Sequence, residues 1–135
     1  MKASVVIPCY NAEKTLPEQL EAFSRQHWSE SWEIILADNG STDNSLHLAE
    51  QYLSKIPNFR IIEANRIKGP AHARNSGAAV ARGESLLFCD ADDEVALGWV
   101  AAMGNALKQQ DFVACRMEPL KLSRSWAVEA RRCPQ

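Results

Sequence analysis

Five short, mainly apolar runs alternate with segments of helical period along this chain, and that alternation constrains the fold more than any other feature. The runs are Ala3–Ile7, Trp32–Ala37, Phe59–Ile62, Ser85–Cys89 and Phe112–Cys115. A strand with one wet face alternates polar and apolar residues, whereas one covered on both faces reads as continuous apolar sequence. Between the runs, Leu16, Leu20 and Phe23 recur at helical spacing in a helix beginning near Ala12, which Asn11 can cap; Pro17 falls in its first turns. Leu46, Ala49 and Leu53 form the stripe of a second helix, capped by Ser41 or Asp43. Gly69-Pro70 opens a third, with Ala73, Gly77 and Val80 on one face, small enough to sit close to a sheet. A fourth, from about Ala96 to Lys108, carries Val100, Met103 and Leu107. Strands alternating with amphipathic helices predict an α/β fold: a mainly parallel sheet with helices on both faces. A length of 135 residues suits one such domain. It is expected over residues 1–117, with an irregular or partly disordered tail over 118–135.

The formal net charge is −2, with both signs interspersed, so no basic stripe points to nucleic acid. An anionic ligand such as a diphosphate needs a cation to bring it in. The cysteines (Cys9, Cys89, Cys115, Cys133) are too far apart for a zinc site or a disulfide framework and read as reduced thiols. Met1 to Ser4 lead directly into a strand, so no signal peptide is expected. No stretch approaches the roughly 18 apolar residues of a membrane span. The expected location is cytoplasmic, at most peripheral to the inner face of the membrane in a longer parent protein.

Ligands of a parallel sheet bind outside the carboxyl ends of its strands. The polar residues collect there: Tyr10-Asn11 after the first strand, Asp38-Asn39 after the second, Asp90-Ala91-Asp92-Asp93 after the fourth. Three carboxylates within four residues repel one another and call for a cation or abundant water. Such hard oxygen ligands suit Mg²⁺ or Mn²⁺, which bind through a few carboxylates plus substrate phosphates. The plainer reading is a solvated acidic turn ahead of the next helix. Asp38 and Asn39 are equally good at folding their own turn or at meeting a base edge. Tyr10 offers a face for stacking or a rim for the core. Arg74 can reach a phosphate or form a surface ion pair. His27 and His47 read as surface or packing residues, and His72 stays open.

Taken together, the segments Ser4-Val-Val-Ile-Pro-Cys-Tyr-Asn11, Asp38-Asn-Gly-Ser-Thr-Asp43, Lys68-Gly69 with Ala73-Arg74-Asn75, and Asp90-Ala-Asp-Asp93 resemble the family 2 glycosyltransferases of the GT-A fold. The match runs from residue 3 to about residue 117; each motif is weak alone and the order is specific. The resemblance implies a Rossmann-like GT-A domain that transfers a sugar from a metal-bound nucleotide diphosphate, with inversion, to an acceptor hydroxyl, a sugar or lipid-linked acceptor. A role in cell envelope polysaccharide follows from the same resemblance. It implies that Pro8 and Tyr10 border the base, Asp38 or Asn39 bonds it, and Gly69 and Arg74 lie along the nucleotide. Asn11 and Ala91 complete that set. Asp90 approaches the ribose, and Asp90, Asp92 and Asp93 form the metal set for Mg²⁺ or Mn²⁺. Many members carry a second aspartate where this chain has Asn39, so uracil, the family's usual base, is a looser expectation, though a UDP-sugar remains the expected donor.

Members also continue into an acceptor-binding region that supplies the carboxylate base an inverting transfer needs. Only Glu118 and Glu129 are acidic after Cys115, in contexts unlike the family's base motif, so no catalytic residue is assigned. The expectation is therefore the donor-binding half of an enzyme, truncated before the acceptor half. The alternative is a non-catalytic nucleotide-sugar-binding or interaction module. A half-length domain would also expose an apolar face and favour self-association. A phosphatase with a nucleophilic Asp-x-Asp would carry that motif on its first strand. A Rossmann dehydrogenase would show Gly-x-Gly-x-x-Gly there.

Overall fold

The computed structural model describes residues 1–116. Its elements run β1 (Ala3–Cys9), α1 (Leu16–Ser24), β2 (Trp32–Asp38), α2 (Ser45–Glu50), β3 (Phe59–Glu63), α3 (Pro70–Val80), β4 (Ser85–Phe88) and α4 (Trp99–Leu107). The strands form one parallel sheet in the order β3-β2-β1-β4. Cys9 lies opposite Asp38, so β1 and β2 end level and deliver the residues that follow them to the same rim.

The two faces of the sheet are covered for different reasons. On one, Val5, Ile7, Ile34, Leu36 and Leu87 meet Leu16, Leu20 and Phe23 of α1, Ala49 of α2 and Val100 of α4. Burying a side chain of that size contributes about 1.5–3 kcal/mol, and the Phe23 ring also meets Trp99 edge-on at 6.0 Å. On the other face α3 lies close against β1 and β2, because its contact residues are small. A Cβ on Gly77 would stand 2.4 Å from Val6 Cγ1, and Ala73 packs on Ala37 and Ala64.

A polar cluster ties that second face together at the other end of the strands. Glu33 is 1% exposed and accepts hydrogen bonds from Ser4 Oγ (2.7 Å), the Arg82 N–H (2.8 Å) and Arg60 Nε (3.1 Å). Gly83 N–H donates to the same Ser4 hydroxyl at 2.8 Å. Burial works to raise the Glu33 carboxyl, but the bonds from Ser4, Arg82 and Arg60 outweigh it and hold it below its ordinary range.

Several expectations need correction. The first helix starts at Leu16, not near Ala12, and Asn11 does not cap it. Asn11 has φ 46° and turns its Oδ1 to the N–H groups of Thr42 and Asp43. The second helix is only Ser45–Glu50, without a side-chain cap, and Leu53 is exposed. Val80 is exposed at the end of α3, and α4 begins at Trp99, three residues later than expected. The Ser85–Cys89 run is a sheet edge rather than a strand buried on both faces: Leu87 is covered while Leu86 and Phe88 are 40% and 46% exposed. Phe112–Cys115 forms no strand, and Phe112 is 89% exposed. The boundary after residue 117, the tail at 118–135, Cys133, Glu118 and Glu129 lie outside the described residues. Among those described, no helix is long and apolar enough to cross a membrane.

Candidate functional site

The level ends of β1 and β2, the start of α3 and the segment after β4 enclose an open crevice of about 980 Å³. Pro8, Tyr10, Asn11, Asn39, Gly69, Arg74, Asp90, Ala91 and Asp92 all line it, joined by Lys14, Lys68, Glu13 and Asp43. Segments as far apart in the chain as residues 8 and 92 therefore meet around one space.

One wall is built by two loops knitted together. Asn11 N–H donates to Ser41 Oγ (3.0 Å), Ala12 N–H to Ser45 Oγ (2.8 Å) and Glu13 N–H to Asp43 Oδ2 (3.2 Å). In return Asn11 Oδ1 accepts from Thr42 N–H at 2.8 Å, and Glu13 Oε2 from Asn44 N–H at 3.3 Å. Burial raises the Asp43 carboxyl, but bonds from the Ser45 hydroxyl and N–H and from Glu13 N–H bring it below its ordinary range. The Cys9 thiol beneath is pushed up to about 11 by burial and by nearby Asp38, and stays protonated. Above this wall the Tyr10 ring is 49% exposed, and Lys68 Nζ sits 5.6 Å from its centroid. An exposed ring at a crevice mouth can stack on a planar ligand.

The floor is the acidic loop. One oxygen each of Asp90, Asp92 and Asp93 lies within 4.8 Å of the others. Asp93 Oδ2 accepts from Asp90 N–H at 3.1 Å, closing the loop on itself. Arg74, from the second turn of α3, bonds Asp90 Oδ1 at 3.1 Å, with both side chains partly exposed. The ion pair weighed for Arg74 is thus formed, and its partner belongs to the acidic loop. Three clustered carboxylates are the donor set that a small divalent cation accepts, so the residues present fit such an ion.

Two glutamines, Gln19 within α1 and Gln26 just past its end, hold this loop and the start of α4 from below, and they were missed in the sequence. Gln19, fully buried, donates to Asp90 O (3.0 Å) and accepts from Val95 N–H (2.9 Å). One heptad on, Gln26 donates to Ala96 O (2.8 Å) and accepts from Val100 N–H (3.0 Å), serving an orphan donor at the start of α4. The signal of Gln19 was legible: a polar residue on the apolar face of a helix, beside Leu16, Leu20 and Phe23, marks a buried amide with assigned partners.

Asp38 and Asn39 part company here. Asp38 is 4% exposed and is not among the crevice-lining residues; its Oδ2 takes the N–H groups of Gly40 and Ser41, both at 3.1 Å, and its Oδ1 is buried without a partner. Asn39 lines the crevice, yet its amide bonds the segment Ala64–Gly69. The turn-forming role is therefore realised in Asp38, whereas Asn39 ties a distant segment and does not close its own turn. His72 lies near Ser76 of its own helix, and His27 and His47 are exposed.

The sequence profile of "Glycosyl transferase family 2" matches residues 4–127. The chain belongs to that family. It is 41% identical over 97 residues to a poly(ribitol-phosphate) beta-glucosyltransferase of Bacillus spizizenii, covering 70% of this chain and 15% of that protein. Among solved structures it is similar to Staphylococcus aureus TarS 1-349 in complex with UDP, with a TM-score of 0.72 and 29% identity over 82% of this chain and 33% of that one. The same TarS fragment in complex with UDP-GlcNAc gives a TM-score of 0.69 and 32% identity over 79% and 30%. The chain thus spans a third or less of each of these relatives. The parallel sheet flanked by helices is the GT-A, Rossmann-like arrangement expected from the sequence.

Proposed function

We propose that this family 2 glycosyltransferase chain binds a nucleoside diphosphate sugar in the crevice, with Mg²⁺ or Mn²⁺ held by Asp90, Asp92 and Asp93. The observation that carries the reading is an acidic triad of which Asp90 and Asp92 line a crevice whose mouth presents an exposed aromatic ring. Tyr10 and Pro8 border the base, Gly69 lies along the nucleotide, and Asn11 and Ala91 shape the walls. Lys14, Lys68 and Arg74 are the cations of the lining; Glu13, Asp43, Asp90 and Asp92 are its carboxylates. A diphosphate entering such a lining gains little net attraction from the protein, so a divalent ion supplies the missing charge. When bound, that ion would neutralise the diphosphate as it departs. Arg74, already beside Asp90, is near enough to the floor to share in holding a phosphate.

The activity proposed for the whole protein is transfer of the donor's sugar, with inversion, to an acceptor hydroxyl; a UDP-sugar is the proposed donor. The TarS structures bound to UDP and UDP-GlcNAc support that choice of base. The similarity to poly(ribitol-phosphate) transferases supports a cell-envelope polymer as the setting, with the protein working at the inner face of the membrane. Calorimetric titration of UDP with and without Mn²⁺ tests the donor site. The chain should bind UDP only with the metal, and Asp92→Ala should abolish most of that binding, a loss of tenfold or more. Metal-independent binding that survives Asp92→Ala would remove the cation from the site.

A further inference from the structure

We propose that Gln19 is a positioning residue whose one carboxamide clasps both ends of residues 90–95 and so sets a preference of the acidic loop for Mg²⁺ or Mn²⁺ over the larger Ca²⁺. This rests on the reading of that loop as a cation site and names what fixes its dimensions. Gln19 projects from the apolar face of α1, beside Leu16, Leu20 and Phe23, and is fully buried. Its Nε2 donates to Asp90 O at 3.0 Å, and its Oε1 accepts from Val95 N–H at 2.9 Å. Those two backbone groups bracket Asp90, Asp92 and Asp93, of which one oxygen each lies within 4.8 Å of the others.

The clasp matters because residues 90–95 belong to neither a strand nor a helix, so no regular ladder fixes their span. A turn bond from Asp93 N–H to Asp90 O, at 3.1 Å, orders the first half of the loop. Asp93 Oδ2 and Asp90 Oδ1 make the bonds to Asp90 N–H and Arg74, both at 3.1 Å, and each of these engages a carboxylate. Gln19 instead holds backbone atoms, reaches on to Val95, and occupies no carboxylate oxygen. Being rooted in the core, it also ties the loop to the body of the sheet. Mg²⁺ takes oxygen ligands at about 2.0–2.1 Å in near-ideal octahedral geometry, whereas Ca²⁺ accepts about 2.3–2.6 Å and a flexible shell. A loop of fixed span therefore favours the smaller ion, and a loosened one discriminates less. Removing a group that orients metal ligands without touching the metal weakens binding by about 10–100-fold.

The test compares the 135-residue chain with Gln19→Leu and with Leu20→Val, a control on the same buried helix face. Mn²⁺ is followed by its paramagnetic resonance, Ca²⁺ by displacement of that signal, and the loop by backbone hydrogen exchange. Gln19→Leu should weaken Mn²⁺ by roughly tenfold or more and Ca²⁺ by less than about threefold, so the ratio of the two affinities falls. Leu20→Val lowers stability without touching the clasp, and its ratio should match that of the unaltered chain. Exchange in the unaltered, metal-free chain decides the matter even should Gln19→Leu fail to fold. Its Val95 amide should exchange roughly tenfold or more slowly than those of the exposed Glu94 and Leu97. A Val95 amide as fast as those would overturn the proposal. So would an unchanged ratio in Gln19→Leu, or a ratio that falls equally in Leu20→Val. If the unaltered chain takes up no Mn²⁺, with or without UDP, the cation reading itself fails and the preference falls with it, while the exchange arm still decides whether Gln19 clasps the loop.

Discussion

At the scale of single residues, this protein uses buried polar side chains as fasteners. Gln19, Gln26, Asn39 and Glu33 each sit where an apolar residue would be the simpler choice, and each joins segments distant in the chain. An unsatisfied buried polar group costs about 1–3 kcal/mol, so such residues persist only with their partners in place. Glu33 gives the clearest prediction. Its carboxyl is held below its ordinary range in the fold, so it stabilises the fold fully above its unfolded value of about 4.3, and that contribution is lost as pH falls through the lower folded value. Glu33→Gln should cost about 1–3 kcal/mol near neutrality. The gap between variant and wild type in urea unfolding should narrow as the solution is acidified below about pH 4. A gap that stays constant with pH would mean that the charge of Glu33 is not what stabilises.

At the scale of elements, strands were more legible than helix starts. Apolar runs located β1 to β4; burial on both faces accounts for β1 and β2, whereas the edge strands β3 and β4 are only partly covered. The helix starts were misread because Asn11, Ser41 and Asp43, good caps by type, are committed to joining two loops around the crevice. The run at Phe112 shows that apolar composition alone does not make a strand: it is four residues long, and Phe112 stays exposed. In the candidate site, the members were readable from their positions at strand ends, whereas their partners were not. Whether Asn39 meets a base or a backbone depends on where residues 64–69 return, which no local pattern encodes. Packing between elements supplies its own test. Gly77→Ala drives a methyl into Val6, so it should destabilise by about 1–3 kcal/mol, despite the roughly 1 kcal/mol that alanine gains in a helix. Thermal unfolding should show a lower midpoint. Combining it with Val6→Ala should cost less than the sum of the two changes, because the second makes room for the first.

At the scale of the molecule, the crevice and the Glu33 cluster occupy opposite ends of the sheet, and among the described residues β3 and β4 are both edges. Among the described residues β4 has a neighbour only at β1, and α3 does not reach far enough to cover Leu86 and Phe88. Open edges with exposed apolar residues promote association between copies. In sedimentation velocity the chain should associate as concentration rises, and Phe88→Lys should suppress this while leaving UDP binding unchanged. A strictly monomeric wild type would contradict the expectation. The strand order has a consequence for the protein's birth. β1 is made before both of its neighbours, β2 on one side and β4 on the other, so it must wait for Ser85–Phe88 to leave the ribosome before both of its edges are paired. Pairings so distant along the chain close slowly. Until then one edge of this buried strand stays open to other unfinished chains, so the half-made sheet is the species that a chaperone would have to protect.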